Sequence, residues 1–247
     1  MSFPLLPRVI GHRGAAAHAP ENTLAGFACA VRLGVRWIEL DVQLTADGIP
    51  VVFHDDRLDR TTDGHGVLVE TSLSALRRLD AGRWFAERFA GERVPVLAEA
   101  LPFLVEQGQG LCLEIKASET RGALTARAAI DCLKRHWPVA GAPLMLSSFA
   151  KSALEVLADA APDWPRGWLV GQVPSEWRAE VRRLGCCSLH VDHASLDETV
   201  ARAIKNEGLA LLAYTVNDRA RAEQLWGWGA DALFSDSPEK LLEASDF

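Results

Sequence analysis

Trp37-Ile38-Glu39-Leu40-Asp41-Val42, then Asp47-Gly48, then Pro50-Val51-Val52-Phe53-His54: how this stretch is read decides the fold. The first run is apolar and strand-like, and residues two apart on a strand share a side, so Glu39 and Asp41 face together and Leu40 away. Only Gln43–Ile49 separates it from the second run, and Asp47-Gly48 is a hairpin turn. A parallel crossover needs about a dozen residues. The second run is therefore an antiparallel arm folded back on the first. With the turn centred on Asp47-Gly48, His54 falls roughly opposite Asp41.

With Pro50–His54 set aside as an arm, the strand candidates are Arg8–His12, Trp37–Val42, Leu111–Ile115, Leu144–Ser148, Gly167–Val170, Ser188–Val191, Ala210–Tyr214 and Asp231–Phe234. Helical patterns follow them at Asn22–Leu33 (capped by Pro20-Glu21-Asn22), Leu97–Glu106, Gly122–Arg135, Ala150–Ala160, Ser175–Leu184, Asp197–Asn206, Asp218–Trp226 and Pro238–Glu243. This rhythm predicts an α/β chain folded as a closed (β/α)8 TIM barrel. An open doubly wound sheet would carry a glycine-rich first turn, and Gly11-His12-Arg13-Gly14 lacks that spacing. We expect one catalytic domain over 1–247. A small insertion at about 55–96, with a short helix near Leu73–Leu79, follows the second strand and lies over the barrel mouth. A loop longer than about 15 residues in a compact domain is usually functional or disordered.

Bulk properties narrow the function. The chain has 247 residues, about half of them apolar, so a core needs no disulfides. A net charge of −7 argues against nucleic acid as a partner. An anionic substrate must then be held by local cations or a metal. The five cysteines are scattered, and Cys186-Cys187 lacks the two intervening residues of a redox motif. No secretion signal is visible, and no apolar run reaches the roughly 18 residues of a membrane span, so we expect a soluble cytoplasmic protein without membrane insertion.

The chemistry sits at strand ends. Two carboxylates facing one interior, Glu39 and Asp41, cannot both stay ionised without a cation. Ion pairs with Arg13, Arg36 or Lys116 would suffice for an isolated pair. Glu114, in Glu114-Ile115-Lys116, adds a third oxygen donor and points to a hard divalent ion. His12 and His54 are acid/base candidates, since imidazole exchanges protons near neutrality. Arg13 offers a planar fork to phosphate oxygens and Lys116 a compact charge. His190 and His193 are candidates for the pocket rim, and Phe149 and Tyr214 are placed to touch a substrate. His18, His65 and His136 are read as uninvolved.

In combination these motifs are specific. Gly11-His12-Arg13-Gly14, Pro20-Glu21-Asn22-Thr23, Glu39-Leu40-Asp41-Val42, Asp47-Gly48, His54-Asp55, Arg60-Thr61-Thr62, Glu114-Ile115-Lys116, Ser147-Ser148-Phe149 and Tyr214-Thr215-Val216-Asn217 follow one another as in the glycerophosphodiester phosphodiesterase family. The chain resembles that family, and in particular its cytosolic bacterial branch, along essentially its whole length. The resemblance implies hydrolysis of small glycerophosphodiesters to glycerol 3-phosphate and an alcohol. It implies His12 and His54 as the acid/base pair, Glu39, Asp41 and Glu114 as metal ligands, and Arg13 and Lys116 as phosphate contacts. It places Tyr214 near the glycerol. The ion expected is Mg²⁺, with Ca²⁺ and Mn²⁺ compatible with oxygen ligands. One departure is Ala15, where the family has the second glycine of a pair. The alternatives are a phospholipase-type relative acting on lipid head groups, a non-catalytic phosphodiester-binding protein, and an amide hydrolase, which would favour His-X-His where this chain has His12-Arg13.

Overall fold

The computed structural model describes residues 6–138 and 142–242. Its strands are β1 (Val9–Gly11), β2 (Trp37–Leu44), β3 (Pro50–Val52), β4 (Gly110–Ile115), β5 (Leu144–Ser148), β6 (Arg166–Val170), β7 (Ser188–Asp192), β8 (Ala210–Tyr214) and β9 (Ala232–Ser235). Eight of them are parallel and run β1-β2-β4-β5-β6-β7-β8-β9, with β9 closing on β1. The ninth, β3, pairs antiparallel with the outer half of β2. The barrel and its hairpin arm are thus as the sequence predicts.

Helices α1 (Leu24–Arg32), α3 (Leu97–Glu106), α4 (Gly122–His136), α5 (Lys151–Ala160), α6 (Trp177–Leu184), α7 (Glu198–Asn206) and α8 (Arg219–Gly227) join successive barrel strands. Strand alternation sorts the core into two layers. Ile38, Leu40, Val42, Leu111, Leu113 and Leu146 face outward and pack with the helices. Ile10, Trp37, Cys112, Met145, Leu212 and Phe234 fill the interior. Trp37 fits because its partner on β4 is Gly110, where a Cβ would stand 2.4 Å from the indole ring. The apolar floor leaves the interior positions nearer the strands' C-terminal ends to polar groups, the end at which barrel active sites are built.

Three expectations are corrected. Thr23, not the Pro20–Asn22 segment, caps α1: its hydroxyl accepts from Gly26 N–H at 3.1 Å. Asn22 takes a left-handed φ of 56° and is used elsewhere. After β9 the described chain forms one helical turn, Pro238–Lys240, closed by Leu241 and Leu242 N–H groups on the Pro238 carbonyl; Glu243 lies outside the described residues. The hairpin register is also one residue off. Val42 pairs with Val52, and Phe53 N–H donates to the Asp41 carbonyl at 3.0 Å. The connection is Thr45–Ile49, drawn tight by Gly48 N–H on the Thr45 carbonyl and by the Thr45 hydroxyl on Asp47, so the turn centres on Asp47.

Within 55–96 the chain makes a compact excursion. It has a four-residue helix, α2 (Leu73–Leu76), shorter than predicted, and a small core of Leu58, Leu68, Leu76, Ala81 and Val94 that continues onto Val51 and Phe53 of the arm.

Candidate active site

The site begins where β1, β2 and β4 end. Glu39 and Asp41 point inward from β2, and Glu114, the register partner of Asp41, points inward from β4. All three are buried, and one oxygen from each lies within 4.8 Å of the others. Burial, then Asp41 and Glu114, push Glu39 well above the usual carboxylate range. Burial, then Asp41, push Glu114 up to about 7. Asp41 is pushed up by burial too, but Arg13, His54, Lys116 and the Asn22 amide outweigh it and leave it below its ordinary value. A trio in which two members resist ionisation suits a site for a hard divalent cation, whose charge removes that resistance.

The loop after β1 wraps around these carboxylates. Arg13 has a left-handed φ of 52°, uncommon outside glycine. That turn aims its backbone N–H at Glu39 Oε2, 2.9 Å away, while its side chain reaches Glu21 at 2.7 Å and Asp41 at 3.3 Å. Lys116 Nζ stands 3.2 Å from Glu114 and 4.0 Å from Asp41. The two cations read as phosphate holders are thus paired with carboxylates, as the simpler ion-pair reading would have them. They nevertheless line the same pocket as His12 and His54.

Each histidine has its own carboxylate. His12 Nδ1 is 2.6 Å from Asp236, just beyond β9, and His54 Nδ1 is 2.6 Å from Asp55. A carboxylate on Nδ1 fixes the ring and tautomer and leaves Nε2 for the pocket. The corrected hairpin register would turn His54 to the wrong side if the strand continued. The ladder stops at Val52, however, and Gln43 Nε2 donates to the carbonyls of His54 and Asp55 at 2.9 and 2.8 Å, which holds the released backbone. Burial is the largest influence on His54. Together with Arg13 and Lys116 it keeps the imidazole below its usual value, against the pull of Asp41 and Asp55.

The resulting pocket has a volume of about 430 Å³. His12, Arg13, Glu39, Glu114 and Lys116 line one wall, with Phe149, Asp192, His193 and Tyr214 also at its border. His190 lies beneath, fully buried beside Ser188 and Phe234, and burial pushes its pKa down to about 3. It is a neutral part of the floor. His18 pairs with Glu239, and His65, on the surface, pairs with Asp59; neither lines this pocket.

Sequence reading missed several supports. Asn22 donates to Asp41 Oδ2 at 2.8 Å and accepts from Asp41 N–H. Arg60 grips Asp55 and Glu21, each through two nitrogens at 2.6–2.8 Å. Asp236 is held by Asn217 as well as by His12. Its place just after the last strand was the available signal.

The model of the glycerophosphoryl diester phosphodiesterase family matches residues 12–240. A glycerophosphodiester phosphodiesterase of Caldanaerobacter subterraneus is 34% identical over 236 residues, covering 95% of this chain and 96% of that protein. One from Bacillus subtilis is 30% identical, covering 93% and 83%. Among solved structures, an Oleispira antarctica phosphodiesterase in complex with the product sn-glycerol-3-phosphate superposes with a TM-score of 0.94 at 42% identity, over 98% of each chain. The Agrobacterium tumefaciens glycerophosphodiester phosphodiesterase gives 0.79 at 28%, over 96% of this chain and 99% of that one.

Proposed function

This chain belongs to the glycerophosphoryl diester phosphodiesterase family and is a phosphodiesterase of that kind, and on that premise we propose that it hydrolyses small glycerophosphodiesters with a divalent ion and a two-histidine acid/base pair. The observation that carries this reading is a buried carboxylate trio, two of whose members, Glu39 and Glu114, line one pocket with two imidazoles whose Nδ1 atoms are each tied to a carboxylate. Glu39, Asp41 and Glu114 hold the ion, Mg²⁺ first among Mg²⁺, Ca²⁺ and Mn²⁺, and a bound ion supplies positive charge beside the phosphoryl oxygens.

The remaining work falls to the chain's own groups. Arg13 and Lys116 bind phosphoryl oxygens and offset their charge. Nε2 of one histidine takes the proton from the attacking hydroxyl, whether of water or of the substrate's glycerol. Nε2 of the other gives a proton to the departing alcohol oxygen. With water as the attacker, the bond formed is water oxygen to phosphorus, the bond broken is phosphorus to the alcohol oxygen, and the products are glycerol 3-phosphate and the alcohol. With the glycerol hydroxyl as the attacker, the same break releases the alcohol and leaves a cyclic glycerol phosphate. Water then attacks that phosphorus, the ring bond to the hydroxyl oxygen breaks, and that oxygen regains its proton to give glycerol 3-phosphate.

We extend the proposal to one catalytic unit whose 55–96 excursion serves the mouth, and to a cytoplasmic enzyme of diffusible substrates. All five cysteines are free, as suits a reducing compartment. Among the described residues no helix is long and apolar enough to cross a membrane.

The test is a coupled assay for released glycerol 3-phosphate over several glycerophosphodiesters, after chelation and after readdition of each ion. We expect metal-dependent release, abolished in His12→Ala and reduced at least about 100-fold in His54→Ala, the usual scale for a proton-transfer group. Near-normal rates in a folded His54→Ala protein overturn the acid/base assignment, and turnover indifferent to chelation overturns the metal.

A further inference from the structure

Among the described residues three large apolar side chains are exposed: Trp84, Leu124 and Phe149. Phe149 belongs to the pocket mouth, with Lys116 Nζ 5.5 Å from its ring centroid. Leu124 lies in the first turn of α4. Trp84 differs from both, because it stands in an aromatic cluster on the 55–96 excursion. Its ring meets Phe85 edge-to-face with centroids 5.7 Å apart, and Phe85 meets Phe89 at 5.6 Å. The loop that carries these rings is built to hold them. Asp80 closes it by accepting from the N–H groups of Gly82, Arg83 and Gly91 at 2.7–2.9 Å, and Ala81 N–H donates to the Glu92 carbonyl at 2.8 Å. Trp84 Nε1 donates to the Ala81 carbonyl at 2.8 Å, so the indole's one polar group is satisfied and the part it shows to solvent is apolar.

The charge around these rings runs against that of the whole molecule. Residues 77–93 hold five arginines, all exposed, against three acidic residues, in a chain whose net charge is −7. Arg77 pairs with Glu99 and Arg83 with Glu87. Arg78, Arg88 and Arg93 form no ion pair with any described residue. Their bonds go to backbone carbonyls: Arg78 to Ser74, Arg93 to Arg78 and Leu79, and Arg88 to His18 at 3.5 Å. A carbonyl holds a guanidinium in place without neutralising it. Arg88 also lies 4.7 Å over the Phe89 ring, which joins the charge to the aromatic cluster. Its contact with His18 sets the loop against the loop after β1, at the rim of the barrel mouth. An acidic peptide would call for a groove and for guanidinium forks free to make paired bonds. This face has an exposed ring instead, and its forks are partly used. An anionic lipid surface asks for neither groove nor forks: it attracts basic charge without fixed partners and takes tryptophan and phenylalanine at the level of its headgroups.

We propose that this face docks the protein on an anionic lipid surface. Trp84 enters the headgroup layer, Arg78, Arg88 and Arg93 lie against the lipid phosphates, and nothing crosses the bilayer. Docking here holds the molecule by the rim of its barrel mouth and turns the rest of its negative charge away from the membrane.

The test is sedimentation of the full chain with vesicles, which needs no turnover. One set is phosphatidylcholine alone and the other is equal parts phosphatidylcholine and phosphatidylglycerol. At about 0.1 M salt the protein should sediment with the anionic vesicles and not with the neutral ones, and at about 1 M salt, where the screening length falls from about 10 Å to about 3 Å, it should be released. Arg88→Glu removes one positive charge and adds a negative one, so binding should weaken at least about tenfold, each basic residue near such a surface being worth about fivefold. Trp84→Ala should weaken it about fivefold, as suits partial burial of one ring, and Leu124→Ser, with its exposed side chain on α4, should bind as the wild type does. Thermal melts check that each variant is folded; if Trp84→Ala is not, Arg88→Glu carries the test. No sedimentation with anionic vesicles at about 0.1 M salt overturns the proposal, and so does equal binding to both vesicle types or unchanged binding in Arg88→Glu. A wild-type dimer in gel filtration that Trp84→Ala dissolves also overturns it, since the face would then belong to a second copy of the chain.

Discussion

Replacing Asp55 with asparagine should move one limb of the pH profile by about a unit, in a fixed direction. His54 Nδ1 lies 2.6 Å from Asp55 Oδ1, and both side chains are about three-quarters buried. Burial already holds His54 below its usual value, and Asp55 is one of two groups pulling it back up. The substituted amide keeps the size and an acceptor oxygen but not the charge. A hydrogen bond to a charged group contributes roughly 1.5–3 kcal/mol and a neutral one roughly 0.5–1.5. The imidazolium therefore loses on the order of 1 to 1.5 kcal/mol of preferential stabilisation, and one pKa unit corresponds to about 1.4 kcal/mol. His54 should titrate about one unit lower. If His54 accepts the proton, the acid limb of kcat/KM moves down; if it donates, the alkaline limb does. A divalent ion at the carboxylates changes the starting value but not this difference, since it is present in both proteins.

The assay is release of glycerol 3-phosphate at saturating metal, scanned from about pH 5 to about pH 9, with kcat/KM as the readout because it reports groups of the free enzyme. Arg60→Gln gives the opposite sign. Arg60 neutralises Asp55 through two contacts. Without it the Asp55 carboxylate pulls harder on His54 and a nearby positive charge is gone, so the same limb moves up by a fraction of a unit, small because Arg60 is half-exposed. A limb that stays put in Asp55→Asn, or moves the same way in both variants, refutes the role given to Asp55.

Three further outcomes are expected. Glu114 keeps its proton to about pH 7 in the folded protein but only to about 4.5 as a free side chain; the folded state therefore binds more protons between these values, and metal-free stability falls as pH rises through that window. Melts of chelated protein should show the fall, and Glu114→Gln should reduce it while raising the metal concentration needed for half-activity about tenfold or more; a flat pH–Tm curve in the chelated wild type counts against the buried trio. Gly26→Ala should destabilise by about 2 kcal/mol or more despite alanine's better helix propensity, because a Cβ there stands 2.5 Å from the Pro20 carbonyl oxygen; an unchanged urea midpoint would refute this. Arg166, 3% exposed, donates to the carbonyls of Leu184, Ala161 and Trp164; Arg166→Met should cost about 3 kcal/mol by leaving buried acceptors unpaired, and a loss below about 1 kcal/mol in a urea titration would show that the carbonyls find other donors.

What was legible in the sequence is what short-range geometry dictates. Alternation put Glu39 and Asp41 on one side, and the length of Gln43–Ile49 ruled out a crossover. Strand ends collected the polar residues because the floor is closed by Trp37, Met145 and Phe234. What was not legible depends on contacts that no local pattern encodes. Asp236 meets His12 across 224 residues of chain. Asn22 has the composition of a helix cap, yet it turns left-handed to serve Asp41 and leaves the cap to Thr23. Gln43 lies on the same strand side as the carboxylates, but its value comes from where the arm's backbone ends. The one-residue error in register has the same origin: dipeptide preference marks a turn, while the side-chain bond from Thr45 to Asp47 decides which residue lies at its centre.

These long-range supports form a single chain of charges. His54 leans on Asp55, Asp55 on Arg60, Arg60 on Glu21, Glu21 on Arg13, and Arg13 on Asp41. The excursion after the hairpin supplies Asp55 and Arg60, and the loop after β1 supplies Glu21 and Arg13, so the excursion ties the imidazole proposed for proton transfer to a cation proposed to bind the phosphate. Burial makes the inner links, from Arg13 to Glu21 and to Asp41, costly to break on their own, because an unpaired charge left behind is penalised more than the pair is rewarded. These inner links hold or rearrange together, while those of the half-exposed Arg60 contribute less. Arg13 and Lys116 rest on Asp41 and Glu114, and on the proposed metal reading they would become available to a phosphate when an ion gave those carboxylates another positive partner. The carboxylates proposed to hold the ion would then also govern when the two basic side chains are free to grip the substrate, and through Arg13 and Glu21 that exchange would reach Arg60 and the setting of His54.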